Sequence, residues 1–379
     1  PSVQETPLAF LGSHNLALRL IIHDSGRVGF SFSGQQQGVF NFIADSRVEN
    51  NSYFSMYHDG IYTATMGSYI DQMRMATYQA TGRTQDTRQH YIANNVIDAS
   101  RAAPTTAIKW HSRWGVITDN DMVAGTGRLA FGGAGGCGAD PTCDDNLGNV
   151  LVERNRFIPN VDDAYDSLRS YGIVLDDFNN NLAIRNNLFY NMPAAMWSLN
   201  GDITNVEFTH NTILKEGFTV GQNIDEGDFL RLSGAHNFNI KNNIVSVPFY
   251  GGGWMSQFLM PSLAEVHMAN NIYYKPNQAN GNFNVNGASK SFSQWQSSGN
   301  EAGAIGANPQ FNSAVLGNAG FLKLEPSSPG VDAAVPVWVY EDFDRLSRPQ
   351  GANSDIGAYE YLAGGSILGG GGGGESSSG

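Results

Sequence analysis

Basic side chains are scarce in this chain, with 22 Lys and Arg among 379 residues, yet Lys109, His111 and Arg113 fall within one run, Ile108-Lys109-Trp110-His111-Ser112-Arg113-Trp114. A Lys or His can take a proton from carbon, and a neighbouring Arg can neutralise the carboxylate that makes such a proton acidic. His58 and Tyr62, in Met56-Tyr57-His58-Asp59-Gly60-Ile61-Tyr62, could return a proton to a leaving oxygen. Arg231 is a second group able to hold a carboxylate. The same residues would also suit an ordinary polar solvent face.

Carboxylates offer two other chemistries. Asp176 and Asp177, with Asp59 or with Asp225 and Glu226, could supply the pair that a glycosidic hydrolysis needs, about 5–5.5 Å or 6.5–9.5 Å apart. Asp176-Asp177 would equally serve as a turn at a strand end. Asp140, Asp144 and Asp145 bracket a cysteine loop and could help give Ca2+ its six to eight hard oxygens, against a solvated acidic loop as the alternative. No motif calls for an organic cofactor. Cys137 and Cys143 are the only cysteines. With no His in their loop they suit a disulfide better than zinc, which points to an extracytoplasmic compartment.

The elements that must position these groups follow a degenerate repeat: apolar, any, polar, Asn, any, apolar. It reads Val48 to Tyr53, Ile92 to Ile97, Ile117 to Met122, Val152 to Phe157 and Ile184 to Phe189. Phe208 to Ile213, Ile240 to Val245 and Met268 to Tyr273 complete it. The spacing falls within the roughly 20–50 residues that mark a repeat architecture. The units are short, rich in Ile, Val, Phe and Tyr, and bounded by turn residues, which reads as strand–turn–strand rather than helix. Asn suits the turn, and stacked Asn side chains can ladder between coils. The expected fold is all-β: a solenoid of parallel coils about 4.8 Å apart. An antiparallel sandwich would put its turns roughly 8–12 residues apart.

A second kind of strand precedes each Asn unit, as in Ala107 to His111 and Gly172 to Asp177. Alternation turns Ile108 and Trp110 inward and Lys109 and His111 outward. Aligning the coils predicts one outward column of Tyr62, Lys109, Val174 and Arg231, and a next column of His111, Asp176 and Ser233. A one-residue slip would invert this pattern. The longest insertions, Thr65 to His90 with Arg74 and 132 to 149 with the cysteines, are expected on a binding face. Residues 1–43 read as first coils or a cap, 44–275 as coils, 276–361 as a closing region and 362–379 as a Gly/Ser-rich flexible tail.

The net charge of −13 excludes bulk electrostatic binding of nucleic acid and leaves any anionic ligand dependent on a local basic patch or a cation. No apolar run approaches the roughly 18 residues of a membrane span. Pro1 opens the chain without Met, which fits a removed signal sequence or a piece of a longer product.

The closing region runs Phe292-Ser293-Gln294-Trp295, Asn308-Pro309-Gln310-Phe311, Phe321-Leu322-Lys323-Leu324 and Ser328-Pro329-Gly330-Val331-Asp332. Arg348-Pro349 and Asp355-Ile356-Gly357-Ala358-Tyr359-Glu360 follow. This order resembles the ending of many bacterial secreted right-handed parallel β-helix proteins, though Asn308 stands where Asp is usual and Gly330 where Ala is usual. The Gly-rich tail is similar to the spacer before a C-terminal surface-anchoring signal, itself absent. The resemblance implies a right-handed parallel β-helix, secreted or at the surface of a bacterium, and an extracellular polysaccharide as partner. Fold alone does not choose among the lyases, hydrolases, epimerases, tailspikes and adhesins built on it. Neither the polygalacturonase set nor the alginate-epimerase Asp-Pro-His-Glu run is present.

Within that setting the basic residues lead to β-elimination on a uronate-containing polymer. The expected roles are Lys109 or His111 as base, Arg113 or Arg231 on the carboxylate, and His58 or Tyr62 as acid. Tyr62, Trp114 and Trp254 would stack on sugars, with Arg74, Asp176 and Asp177 as further contacts. A non-catalytic adhesin or structural solenoid and a two-carboxylate hydrolase are the alternatives.

Overall fold

A computed structural model describes residues 8–10, 12–24, 28–33, 39–51, 54–59, 61–71, 73–75, 88–98, 106–110, 112–123, 127–131, 147–158, 171–176, 179–192, 194–200, 203–216, 229–248, 254–260, 262–276 and 282–363. The chain winds as a right-handed parallel β-helix, with sheets of 12, 11 and 10 strands among the described residues. Each coil places one strand in each sheet in turn. Thus Phe54–Asp59 lies in the first sheet, Ile61–Met66 in the second and Tyr69–Ile70 in the third. Leu8–Phe10 already pairs in parallel with Val28–Ser33, so coil geometry begins there. The expected division at residues 43 and 44 falls inside the strand Val39–Ala44.

The sharp corner between the second and third sheets sets the register. Its first residue is left-handed, with φ of 55° at Asn94, 53° at Asn186, 58° at Asn242 and 49° at Asn270. Asn tolerates that region better than other residues with a Cβ. The next residue is the buried Asn that forms the ladder. Asn155, for example, donates from both its backbone N–H and its side-chain amide to Asn187 Oδ1, at 3.0 Å each. The same linkage runs through Asn95, Asn120, Asn155, Asn187, Asn211, Asn243 and Asn271. Buried amide groups must be paired, and here each rung pairs the next.

The expected first repeat copy, Val48 to Tyr53, is out of phase. Val48 lies in the third sheet, and Asn51 turns the chain beyond it, donating to Glu49 O and Ser55 Oγ. Ser46 and Ser68 hold the ladder positions there: Ser46 N donates to Ser68 Oγ, and Ser68 N to Asn95 Oδ1. A serine hydroxyl supplies the acceptor this corner needs, so the Asn pattern fades while the geometry persists.

Inward residues of the three sheets fill one core. Ile108, Leu129 and Ile173 stack in the first sheet, Ile92, Ile117 and Val152 in the second, and Met122, Phe157 and Phe189 in the third. The C-terminal region has two parts. Ala288–Ser291 turns back antiparallel on Asn282–Val285, and the helix Phe292–Ser297 follows, held by a Ser291–Gln294 capping box. Trp295 from this helix stacks on Phe283 at 4.4 Å and closes the core.

The remaining chain runs back along the outside of the third sheet as a strap. Phe321, Leu322, Ala358 and Tyr359 cover Leu188 and Leu214, while Leu324 and Ile356 cover Ile244 and Ile272. Arg348 is its clasp, donating to Glu360, to the Asp355 and Gly357 carbonyls and to Asn186 Oδ1. No described helix is long and apolar enough to cross a membrane.

Candidate functional site

Parallel pairing aligns one register position of the first sheet in a column, outward at Lys109, Ala130, Val174 and Trp197. It runs Tyr57, Arg74, Lys109, Ala130, Val174, Trp197, Arg231 and Gln257. Lys109, Val174 and Arg231 therefore share the column that alternation predicts. Lys109 and Arg74 occupy neighbouring rungs, about 4.8 Å apart. Lys109 and Arg231 are separated by Ala130, Val174 and Trp197, a distance of roughly 19 Å at the usual rung spacing.

Tyr62 does not belong to this column. It lies in the second-sheet strand Ile61–Met66, and its first-sheet counterpart is Tyr57. Arg113 and Trp114 are likewise in the second sheet, in Arg113–Thr118, where Arg113 pairs with Arg88. The reason is the corner at Ser112: the chain leaves the first sheet after Trp110, whose indole N–H donates to Ser112 O at 2.8 Å. Alternation cannot be carried across a corner, so Lys109 and Arg113 belong to different sheets.

His58 pairs with Met75 and is in register with Trp110, one position beyond the Tyr57–Arg74–Lys109 column. Asp176 ends its first-sheet strand beside a register shift at Leu175 and Asp176. Trp254 is half-buried just before the strand Ser256–Phe258, at the Arg231 end of the column. His111, Asp177, Asp140, Asp144, Asp145 and both cysteines lie outside the described residues. Among the described residues no cluster of His, Cys, Asp and Glu is arranged to hold a metal.

Trp197 is a residue that sequence reasoning passed over. It is half-buried on the outward face, with the Arg231 guanidinium 5.2 Å from its ring centre and Tyr171 at 4.3 Å. With Tyr171, Val174 and Ala194 it forms a small apolar cluster outside the main core. The alternation Ala194-Ala195-Met196-Trp197-Ser198, with Met196 inward, was the signal available for it.

No family model matches the chain, and no curated protein matches it. Among solved structures, it is similar to the pectate lyase Pel9A, with a TM-score of 0.56 and 13% identity, covering 96% of this chain and 85% of that one. The Dettilon tailspike protein gives a TM-score of 0.43 and 14% identity, covering 72% of this chain and 61% of that one. XylC, solved in complex with xylose, gives 0.41 and 11%, covering 92% of this chain and 61% of that one. At this identity the likeness to Pel9A shows the parallel β-helix fold and nothing finer.

Proposed function

We propose that the protein is a secreted or surface-attached bacterial polysaccharide-active protein that cleaves a uronate-containing chain by β-elimination on the outer face of the first sheet. The observation that carries this reading is the register of Tyr57, Arg74 and Lys109 on consecutive rungs of one column. In a chain of net charge −13, a basic pair on adjacent rungs is the local attraction that a polyanion requires.

The roles follow from position. Arg74 neutralises the uronate carboxylate and so acidifies the proton on C5. Lys109, one rung away, takes that proton as general base. The C5–H electron pair becomes the C4–C5 double bond, the C4–O bond breaks, and the leaving oxygen takes a proton. Tyr57, on the rung beyond Arg74 in the same register column, is the group that would return it, whereas His58 shares the register of the buried Trp110. Trp197 and Arg231, farther along the column, form a second subsite of aromatic face and cation for another uronate unit.

Mass spectrometry of products from polygalacturonate, alginate and glycosaminoglycans, with calcium and then with chelator, tests the reaction type. Elimination leaves a dehydrated, unsaturated end; hydrolysis leaves two saturated ends, and that outcome would replace this reading with the two-carboxylate one. A second reading is a non-catalytic glycan-binding solenoid. The separation of Lys109 from Arg231, and the placing of Tyr62 and Trp114 on another sheet, favour it. Unchanged polymer in every reaction would select it.

A further inference from the structure

The second sheet carries its own outward column of unusual backbone. Phe40, Tyr62, Gln89, Trp114, Asn149, Asn181, Asn205 and Asn237 all have positive φ, from 48° at Trp114 to 63° at Gln89. Each sits between the same pair of ladder positions on successive strands, so the column is continuous. Asn adopts this conformation readily, whereas for Phe, Tyr and Trp it is strained. Strain of this kind, repeated in bulky residues, points to a use for the side chains it displays. Phe40 and Tyr62 stack at 4.8 Å with their planes 10° apart, and His14 lies 5.3 Å from Phe40. Phe40 and Tyr62 are each 41% exposed and Trp114 is 39% exposed.

Beside this column runs a groove of about 700 Å³ whose lining spans the rungs from Gln89 to Asn237. Its middle floor is apolar, from Val116, Leu151 and Ala183, with Tyr91 at one end and Glu207 and Asn239 at the other. Among the described residues of the lining, Glu207 and His90 are the acidic and basic side chains. His90 is buried, and burial pushes its imidazole down to about 3, so it stays neutral at ordinary pH. Asn181 donates to Asn149 at 3.0 Å and Asn237 to Asn205 at 2.7 Å. An amide used this way keeps further donor and acceptor capacity.

We propose that this groove is a binding site for an extended, uncharged polysaccharide chain lying along the solenoid axis. Aromatic faces at Tyr91 and Trp114 stack on sugar rings, and the Asn column hydrogen-bonds their hydroxyls. Among its described residues the lining offers a polyuronate no countercharge, which distinguishes it from the Arg74–Lys109 face. It goes beyond the elimination reading and stands whether or not that reaction occurs.

Calorimetric titration of the whole protein with cello-, xylo-, manno- and laminari-hexaose tests it, with trigalacturonate as the charged control. One neutral oligosaccharide is expected to bind, with affinity unchanged between low and high salt. Trp114→Ala is expected to weaken it roughly tenfold or more, about the worth of one aromatic contact, and Asn181→Ala to weaken it less. Matching unfolding midpoints for both variants exclude misfolding, and Tyr91→Ala replaces any variant that fails this check. Absence of binding to every neutral oligosaccharide would overturn the proposal. Binding unaltered in the folded variants, or a preference for the charged control in this groove, would do so too.

Discussion

Asn271 hands the asparagine ladder to Glu301. Its side-chain amide and its backbone N–H both donate to Glu301 Oε1, at 2.7 and 3.1 Å. The other carboxylate oxygen accepts from Tyr273 Oη at 3.0 Å and from Trp295 Nε1 at 2.9 Å. One carboxylate thus satisfies the last rung of the ladder and ties the closing helix to it.

Replacing Glu301 by Ala leaves these donors without acceptors. At about 1–3 kcal/mol for an unsatisfied buried group, the loss is expected to be about 3 kcal/mol or more in urea unfolding. Glu301→Gln keeps one carbonyl and is expected to lose less. Equal stability of wild type and the Ala variant would show that this end of the solenoid is not held by the carboxylate.

Within the ladder, Asn187 donates to Val152 O, Arg185 O and Asn211 Oδ1, and accepts from Asn155. Asn187→Ala is expected to cost roughly 2–4 kcal/mol, because both neighbouring rungs lose a buried partner. Hydrogen exchange should quicken first at the Asn155 amide, which loses its Asn187 Oδ1 acceptor, since solenoid stability is largely a matter of neighbouring repeats.

The strap depends on the fully buried Arg348–Glu360 pair. Arg348→Met strands the Glu360 carboxylate in the interior, a change typically worth 3–5 kcal/mol. Loss of protection at the Gly357 and Ala358 amides, which bond Asn242 O and Thr212 Oγ1, is the expected readout. Retained protection there would contradict the clasp assignment.

Asp355 gives the strap a pH dependence. Burial is the largest influence on it and pushes its carboxyl from 3.8 up to about 6. Folding therefore favours the protonated form. The stabilisation it contributes is complete below pH 3.8 and is lost as pH rises through about 6. The stability of wild type relative to Asp355→Asn should fall between pH 4 and pH 7, as read by urea midpoints at each pH. A difference that grows with pH would reverse the assignment.

Much of the fold was legible because the corner chemistry repeats. Asn94-Asn95, Asn186-Asn187 and Asn242-Asn243 each pair a left-handed residue with a ladder amide, and flanking Ile, Val and Phe mark the strands. Legibility failed where another residue met the same need. Ser46 and Ser68 hide two rungs, and Asn50-Asn51 imitates one. The outward column through Lys109, Val174 and Arg231 was also readable by alternation. Tyr62 was assigned to that column wrongly, and Arg113 and Trp114 were grouped with Lys109, because the corner between the first and second sheets carries no fixed residue type.

The Asn column of the second sheet left a signal that could have been read. Asn149, Asn181, Asn205 and Asn237 each precede an apolar–any–apolar triplet, as in Asn149-Val150-Leu151-Val152. Its aromatic members break the pattern, since a left-handed Phe or Trp is not anticipated from its type.

The most direct test of the elimination reading is absorbance of unsaturated uronate ends during incubation with polygalacturonate, alginate and glycosaminoglycans. Wild type, Lys109→Ala and Arg74→Ala would be compared with matched folding. A steady rise with one polymer, reduced at least a hundredfold in Lys109→Ala, is the predicted result, in line with the 10²–10⁴-fold worth of a general base. No rise with any polymer, or a rise that Lys109→Ala leaves intact, would contradict it.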